Sequence, residues 1–328
     1  MELLAANHSS YPRIGASASE QALRRTIAQR DRGEKTDTDV RAAEDELALL
    51  ALQDQERAGA DVVTDGLVRW GDPISHLTAK LEGTRIDGLH RYFDTNFYYR
   101  RPVVDRKVRR LRPLVVEDIQ WAARRSTRPV KAVLTGPFTL AHLSLYEGEV
   151  TGLEPLTRSY AEALSAEVAA LAAAGVRVIQ IDEPALLRHM AQLPLAQECL
   201  NLLAASKANS ELALALYFGD VSAGYARFQE LPVDSLILDF TYSPGLPRLI
   251  EAEGSSKSLG FGLLDGRNTR LEDKSAVTRQ LERMLARVST RRNYLTTSCG
   301  IEYLPRDRAQ AKLRHLTAIK ESLLGARS

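Results

Sequence analysis

Val178-Ile179-Gln180-Ile181-Asp182-Glu183-Pro184-Ala185-Leu186 is the stretch whose reading decides the fold. Its first four residues read as a buried strand, with Gln180 interrupting an otherwise apolar run. Asp182 and Glu183 arrive together at the C-terminal end, and Pro184 stops the strand. In a parallel α/β barrel that end is where substrate-handling side chains sit. Two adjacent acids are costly to desolvate without partners, so they belong at a surface, in a cleft or beside a cation. A plainer reading makes the pair a helix N-terminus, with Asp182 capping and Glu183 in the first turn.

Outward from this stretch, short apolar runs alternate with longer helical patterns. Strands are predicted at Leu3–Asn7, Asp61–Gly66, Val130–Leu134, the central stretch, Leu212–Tyr217, Ser235–Phe240, Ser258–Leu264 and Tyr294–Thr297. Helices are predicted over Glu20–Ala58 with a break near Gly33, over Leu156–Ala174 with Gly175 as its stop, over Leu195–Lys207, and over Arg306–Leu324 at the close. Eight strands, seven of them followed by helical patterns, predict an α/β fold, one (β/α)8 TIM barrel forming a single domain over 1–328. An open doubly wound sheet is disfavoured because no Gly-x-Gly-x-x-Gly turn follows the first strand. Residues 67–113 fit no simple βα unit. Arg91-Tyr92-Phe93-Asp94-Thr95-Asn96-Phe97-Tyr98-Tyr99-Arg100 within them reads as an inserted hairpin or lid after the second strand.

Bulk properties exclude several classes. Of 328 residues, 44% are hydrophobic and 26% charged, which is ordinary for a globular protein and argues against disorder. A formal net charge of +2 gives no global field for nucleic acid or an anionic membrane. The two cysteines, Cys199 and Cys299, form no disulfide framework and point to a reducing, cytoplasmic setting. The opening Met1-Glu2-Leu3-Leu4-Ala5-Ala6-Asn7-His8 has no basic segment or long apolar run, so neither a signal peptide nor a membrane span is expected.

The predicted strand ends collect Arg13, Asp65, Thr135, Asp182, Glu183, Tyr217, Asp220, Asp239, Asp265, Arg267, Asn268, Cys299 and Glu302. Carboxylates that take an ammonium, and arginines that take a carboxylate in fork geometry, would suit a zwitterionic or anionic small molecule. Any one of these groups could instead cap a helix or satisfy loop backbone. A zinc site needs three or four His, Cys or carboxylate ligands. None of the six histidines sits one or two residues from a cysteine. The basic run Arg100–Arg112 reads as a solvated helix face, or more sharply as a track for a polyanion such as a polyglutamate tail.

Tyr11-Pro12-Arg13-Ile14-Gly15, Phe93-Asp94-Thr95-Asn96-Phe97-Tyr98-Tyr99, Leu134-Thr135-Gly136-Pro137, Ile179–Leu186 and Ser298-Cys299-Gly300 together resemble the cobalamin-independent methionine synthase family, over nearly the whole chain. The resemblance implies a TIM barrel in the methionine pathway. In that family a C-terminal barrel carries zinc, which activates homocysteine to take a methyl group from a folate, and an N-terminal barrel helps hold the folate tail. This chain has the length of one barrel. Its Asp-Gly-Arg-Asn, Tyr-Phe-Gly and Phe-Asp-Thr-Asn runs look like the N-terminal one.

By this resemblance Asp182 matches the acid that binds the homocysteine amino group, and Asp182, Glu183 and Arg267 are the catalytic candidates. Arg267 lies where the family has an acid histidine. Ser10, Arg13, Asp65, Asp94, Asn96, Tyr217 and Asp265 are the substrate-binding candidates. A second amino-binding glutamate of the family falls at Leu67. Of the zinc ligands, Cys299 matches outright, Asp239 stands where a glutamate is expected, and the His-x-Cys pair falls at Ala215 and Tyr217. Two ligands would leave zinc weak and mobile. The resemblance therefore implies methyl transfer to homocysteine, from a methyl-folate or methyl-corrinoid donor, in company with a separate zinc-bearing barrel. Two other classes fit the same residues: a metal-independent barrel enzyme acting on an anionic or zwitterionic small molecule, and a non-catalytic subunit that binds folate polyglutamate.

Overall fold

The computed structural model describes residues 2–325; Met1, which heads the opening segment read above, and the last three residues lie outside them. Its strands are β1 (Glu2–Ala5), β2 (Glu82–Arg91), β3 (Tyr98–Arg109), β4 (Ala132–Thr135), β5 (Leu145–Tyr146), β6 (Val178–Asp182), β7 (Glu211–Leu216), β8 (Ser235–Asp239), β9 (Ser258–Leu264) and β10 (Arg292–Thr297). Seven of them form one sheet in the order β1-β10-β9-β8-β7-β6-β4, and each neighbouring pair is parallel.

The interval between β1 and β4 is filled by residues 61–64. Val62 bridges Ala6 on one side and Val63 bridges Val130 on the other, both in parallel sense. The Asp61 and Val62 amides donate to the Ala5 carbonyl at 2.7 and 3.2 Å. On the far side Val63 N–H donates to Pro129 O at 3.1 Å and Lys131 N–H to Val63 O at 2.8 Å. These bonds make 61–64 the eighth stave of a TIM barrel. It is shorter than the predicted strand Asp61–Gly66 because Gly66 and Leu67 both take positive φ, at 74° and 51°, and turn the chain out of the sheet.

Every residue of β6 and β8 is buried. Both faces of such strands are covered, which is why they read as continuous apolar runs rather than alternating ones. Leu193–Ser206, Lys274–Leu285 and Arg306–Gly325 are among the helices that form the outer layer. The helix Leu153–Ala173 precedes β6 and is followed by Gly175 at φ 80°, a conformation glycine takes without a Cβ penalty. Asp37–Arg57 starts at a capping box in which Thr36 and Asp39 satisfy each other's backbone N–H groups.

The basic run differs from its reading as a helix face: most of it is strand β3, paired antiparallel with β2. Pro102 denies a helix its backbone hydrogen bond, and the branched Val103, Val104 and Val108 are buried on the sheet. Many of its charges are locally paired, Lys107 with Glu162 at 2.6 Å and Arg110 with Glu167 at 2.5 Å among them. The hairpin tip lies over the barrel mouth. The rings of Tyr92 and Phe218 stand 6.2 Å apart and those of Phe97 and Tyr303 4.7 Å apart, so the inserted segment is placed as a lid. Asp94 at the tip pairs with Arg188, beyond β6, at 2.7 Å.

Candidate functional site

A cavity of about 470 Å³ opens at the C-terminal mouth of the barrel. Its polar wall comes from several stave ends: Ser10 and Arg13 after β1, Asp182 at the end of β6, Tyr217 after β7, and Cys299 and Glu302 after β10. Tyr92 of the lid and Tyr303 close it from above. An apolar lobe runs toward the helix Ala22–Asp31, between Leu23, Ile27, Leu67, Trp70 and Phe97, with Arg24 at its edge.

Asp182 is held directly by two donors, and Lys131 braces one of them. Gln180, two residues back on the same strand and therefore on the same face, donates from Nε2 to Oδ1 at 2.7 Å. The Tyr217 hydroxyl donates to Oδ2 at 3.1 Å. Lys131 Nζ donates to Gln180 Oε1 at 2.5 Å and to the His8 carbonyl at 2.8 Å. Burial pushes the Asp182 carboxyl up to about 6, against the pull of Gln180, Tyr217 and Lys131. Burial likewise pushes Glu302 up to about 6, and the charge of Asp182 adds to the rise. The two acids thus oppose one another's ionisation across one cavity, and a cation between them would relieve both.

Glu302 is positioned by a close approach of backbone. Ser10 Oγ donates to its Oε2. A Cβ at Gly300 would collide with Ser10 Oγ, Ser9 Oγ and Glu302 Oε2, so only glycine lets these groups converge. Arg13 supplies the opposite charge. Its Nε is buried with no hydrogen-bond partner among the described residues. Burial works against its charge, while Glu44 and Asp72 favour it from a distance. Such a guanidinium lacks an anion, and a carboxylate at the cavity's edge fits its fork.

Of the residues singled out in the sequence, Ser10, Arg13, Asp182, Tyr217 and Cys299 meet in this cavity. Thr135 and Glu302 line it as well, and the other candidates lie outside it. Glu183 turns away and accepts from the Phe138 and Thr139 amides at 2.9 and 2.8 Å and from Thr139 Oγ1 at 2.6 Å, satisfying the start of the helix Pro137–His142. Burial pushes this carboxyl up to about 7 in spite of those three donors. Asp65 accepts from the Leu67 amide at 3.1 Å and steadies the left-handed turn. Asp265 accepts from the Arg267 amide at 2.9 Å. Arg267 lies over the rings of Phe218 and Tyr242, at 5.3 and 5.1 Å, and donates to the Tyr242 hydroxyl. Asp94 and Asn96 are exposed on the lid.

The residues in the zinc positions do not fit the ion. Asp239 accepts from the Phe218 amide through Oδ2, at 3.2 Å, and from the Thr241 and Tyr242 amides through Oδ1, at 2.8 and 3.3 Å. The Cys299 thiol donates to Gly300 O at 3.4 Å, and burial pushes it well above the usual thiol range. Ala215 has no donor atom, and the Tyr217 hydroxyl is engaged with Asp182. Among the described residues no three His, Cys, Asp or Glu side chains are grouped to hold a metal. Zinc requires three or four such donors.

Tyr92, Tyr303, Gln180 and Lys131 are not among the candidates read from the sequence, and Glu302 is there only as one strand-end acid among several. For two of them the sequence does carry a signal: Gln180 breaks the apolar run of β6, and Lys131 stands between Val130 and Ala132 in another stave.

Residues 10–321 match the family model described as cobalamin-independent synthase, catalytic domain. The match is thus to the catalytic domain, where the short runs around Asp94 and Arg267 lead the sequence reading to expect the N-terminal barrel. The chain is 29% identical over 304 residues to the methionine synthase of Saccharolobus solfataricus, covering 92% of this chain and 90% of that one. It is 28% identical over 309 residues to that of Pyrococcus horikoshii, covering 94% and 90%. Among solved structures it is similar to a B12-independent methionine synthase from Shewanella sp. W3-18-1 in complex with selenomethionine, with a TM-score of 0.81 at 22% identity over 99% of this chain and 100% of that one.

Proposed function

Since the chain belongs to the cobalamin-independent methionine synthase family, we propose that its mouth cavity binds an α-amino acid of the homocysteine–methionine class and that it serves methyl transfer in methionine biosynthesis. The observation that carries this reading is the pair Asp182 and Glu302, two acids raised by burial, in one cavity with the unpartnered Arg13 Nε. An ammonium between the acids and a carboxylate on the guanidinium match the two ends of a zwitterion. The Shewanella structure is in complex with selenomethionine, which supports a ligand of this class.

Ionising the thiol is a separate requirement. A free thiol has a pKa near 8.5, so at neutral pH little of it is thiolate, and zinc or a strong positive neighbour must supply the difference. This chain's residues do not supply it: only two of the zinc positions, Asp239 and Cys299, carry carboxylate or thiol donors and both are engaged elsewhere, and in this reading Asp182 and Glu302 face the ammonium. In this reading the chain orients and shields the amino acid by its two charged ends, and a separate zinc-bearing barrel of the family supplies the metal that ionises its thiol. The apolar lobe beside Trp70, with Arg24 at its edge, suits the methyl donor, a methyl-folate or a methyl-corrinoid. A second reading, a subunit that only binds folate polyglutamate, draws on that lobe alone.

The test is calorimetry with L-methionine and L-homocysteine, alongside the analogue lacking the amine and the methyl ester. Binding of the amino acids, weakened in both analogues, is the expected result. Equal binding of the deaminated analogue would remove the role of the acid pair. Turnover with methyl-folate and homocysteine is expected only when the zinc-bearing barrel is added. Turnover by this chain alone would overturn the division of labour.

A further inference from the structure

Lys131 is a charged side chain inside the barrel, only 3% exposed, and the binding reading above makes no use of it. It reaches Asp182 through one residue. Lys131 Nζ donates to Gln180 Oε1 at 2.5 Å, and Gln180 Nε2 donates to Asp182 Oδ1 at 2.7 Å. A glutamine amide has two faces, one accepting and one donating, and it can be turned end for end. A lysine ammonium offers donors alone. With Lys131 on one side, the amide oxygen must face it, and the NH₂ group must then face Asp182. Gln180 is fully buried on a central strand, so no water competes for either face.

We infer that Lys131 is a positioning residue: by fixing the orientation of the Gln180 amide it presents a permanent donor to Asp182, and so keeps that carboxylate ionised and ready for a cationic ligand group. The charge itself acts in the same sense, since an ammonium at close range favours a neighbouring carboxylate. The other charged and titratable groups around this pair are Glu211 from β7 and the His8 imidazole beyond β1, which face Lys131, and Glu183, Glu302, Tyr217 and the lid residue Tyr92, which face Asp182. Neither Glu302 nor Glu183 opposes the inference. As acids they disfavour ionisation of Asp182, which makes a compensating donor necessary. The inference deepens the proposed ammonium site and rests on it for its purpose, but it can be read without any ligand.

The experiment is carbon-13 NMR of the full chain labelled at the aspartate carboxyl carbons, titrated from pH 4 to 9. The signal absent from Asp182→Asn belongs to Asp182. In Lys131→Met its midpoint should rise by about one pH unit, the size expected for losing an opposite charge and an aligned donor. Gln180→Met breaks the same chain of bonds while leaving Lys131 in place, and should move the midpoint in the same direction. The double variant should shift by clearly less than the two single shifts added, because both act through one path. Should Lys131→Met not fold, Gln180→Met alone carries the test. An unmoved Asp182 midpoint in the folded variants, or fully additive shifts, would overturn the inference. Native chain that titrates as expected but fails to bind L-methionine would instead count against the proposed ligand.

Discussion

The Tyr217 hydroxyl donates to Oδ2 of Asp182 across 3.1 Å, joining the ends of two adjacent parallel strands inside the barrel mouth. Asp182 has Gln180 on its other oxygen. The carboxylate is therefore fixed in the plane set by two donors, one from its own strand and one from the next. Tyr217→Phe removes one of them and changes no other heavy atom. Hydrogen bonds to charged groups contribute about 1.5–3 kcal/mol, so L-methionine binding should weaken by about tenfold or more. Calorimetry with native and variant chains checks this, and an affinity within twofold of native would show that the bond is incidental.

Stability should depend on pH through the buried acids. The folded-state pKa values of Asp182 and Glu302, about 6 for each, lie above the ordinary values of 3.8 and 4.5. The native state therefore holds these protons more tightly than the unfolded chain. Their contribution is fully present below about pH 4 and is lost as pH rises through about 6. Asp182→Asn no longer titrates, so its stability should fall less than native between pH 4.5 and 7. The difference is on the order of 2 kcal/mol. Urea midpoints at the two pH values measure it, and parallel slopes in both proteins would contradict the placement of Asp182 in a desolvated wall.

At the lid, Arg188 pairs with Asp94 at 2.7 Å and lies over the Phe93 ring at 5.2 Å. Both members of the ion pair are substantially exposed, and exposed pairs contribute roughly 0.2–1 kcal/mol. Arg188→Ala should leave the melting temperature nearly unchanged but loosen the hairpin tip over the cavity. Dissociation of L-methionine should accelerate several-fold with a smaller change in association, as stopped-flow tryptophan fluorescence would show. A large loss of melting temperature would mean that the contact holds the fold rather than the lid.

Much of the barrel could be read from the sequence because its staves are covered on both faces. Ser258–Leu264 matches β9 residue for residue, and β6 and β8 differ by a residue or so at most. The stave at 61–64 was overextended, since nothing in Thr64-Asp65-Gly66-Leu67 announces that a leucine will adopt positive φ. The basic run misled because alternating arginines suit a solvated helix and a solvated hairpin equally, and Pro102 was the discriminating residue. Within the site, the acid at the end of β6 was readable, but its neighbour Glu183 was not separable from it. Which of two adjacent acids faces inward depends on β6 ending at Asp182 and on the free amides of Phe138 and Thr139, a contact 44 residues distant. In the sequence Glu302 is one strand-end acid among several. Its convergence on Ser10 depends on the space at Gly300, which the sequence shows only as a glycine.

Metal content offers an independent prediction. Asp239 is engaged by three backbone amides, and burial pushes the Cys299 thiol well above the usual thiol range. Purified chain should therefore carry well under half a zinc per molecule by plasma emission, and Cys299→Ala should not change that figure. Stoichiometric zinc lost on that substitution would show that donors rearrange to complete a site.

The central claim is that the acid pair at the mouth takes the ammonium of an amino acid. Calorimetric titration of L-methionine at pH 7.5 into native chain, Asp182→Asn, Glu302→Gln and the outlying control Asp65→Asn tests it most directly. The account predicts saturable one-to-one binding by native chain and Asp65→Asn, weakened about tenfold or more in each of the other two. Absence of binding to native chain, or undiminished affinity in Asp182→Asn and Glu302→Gln, would contradict it.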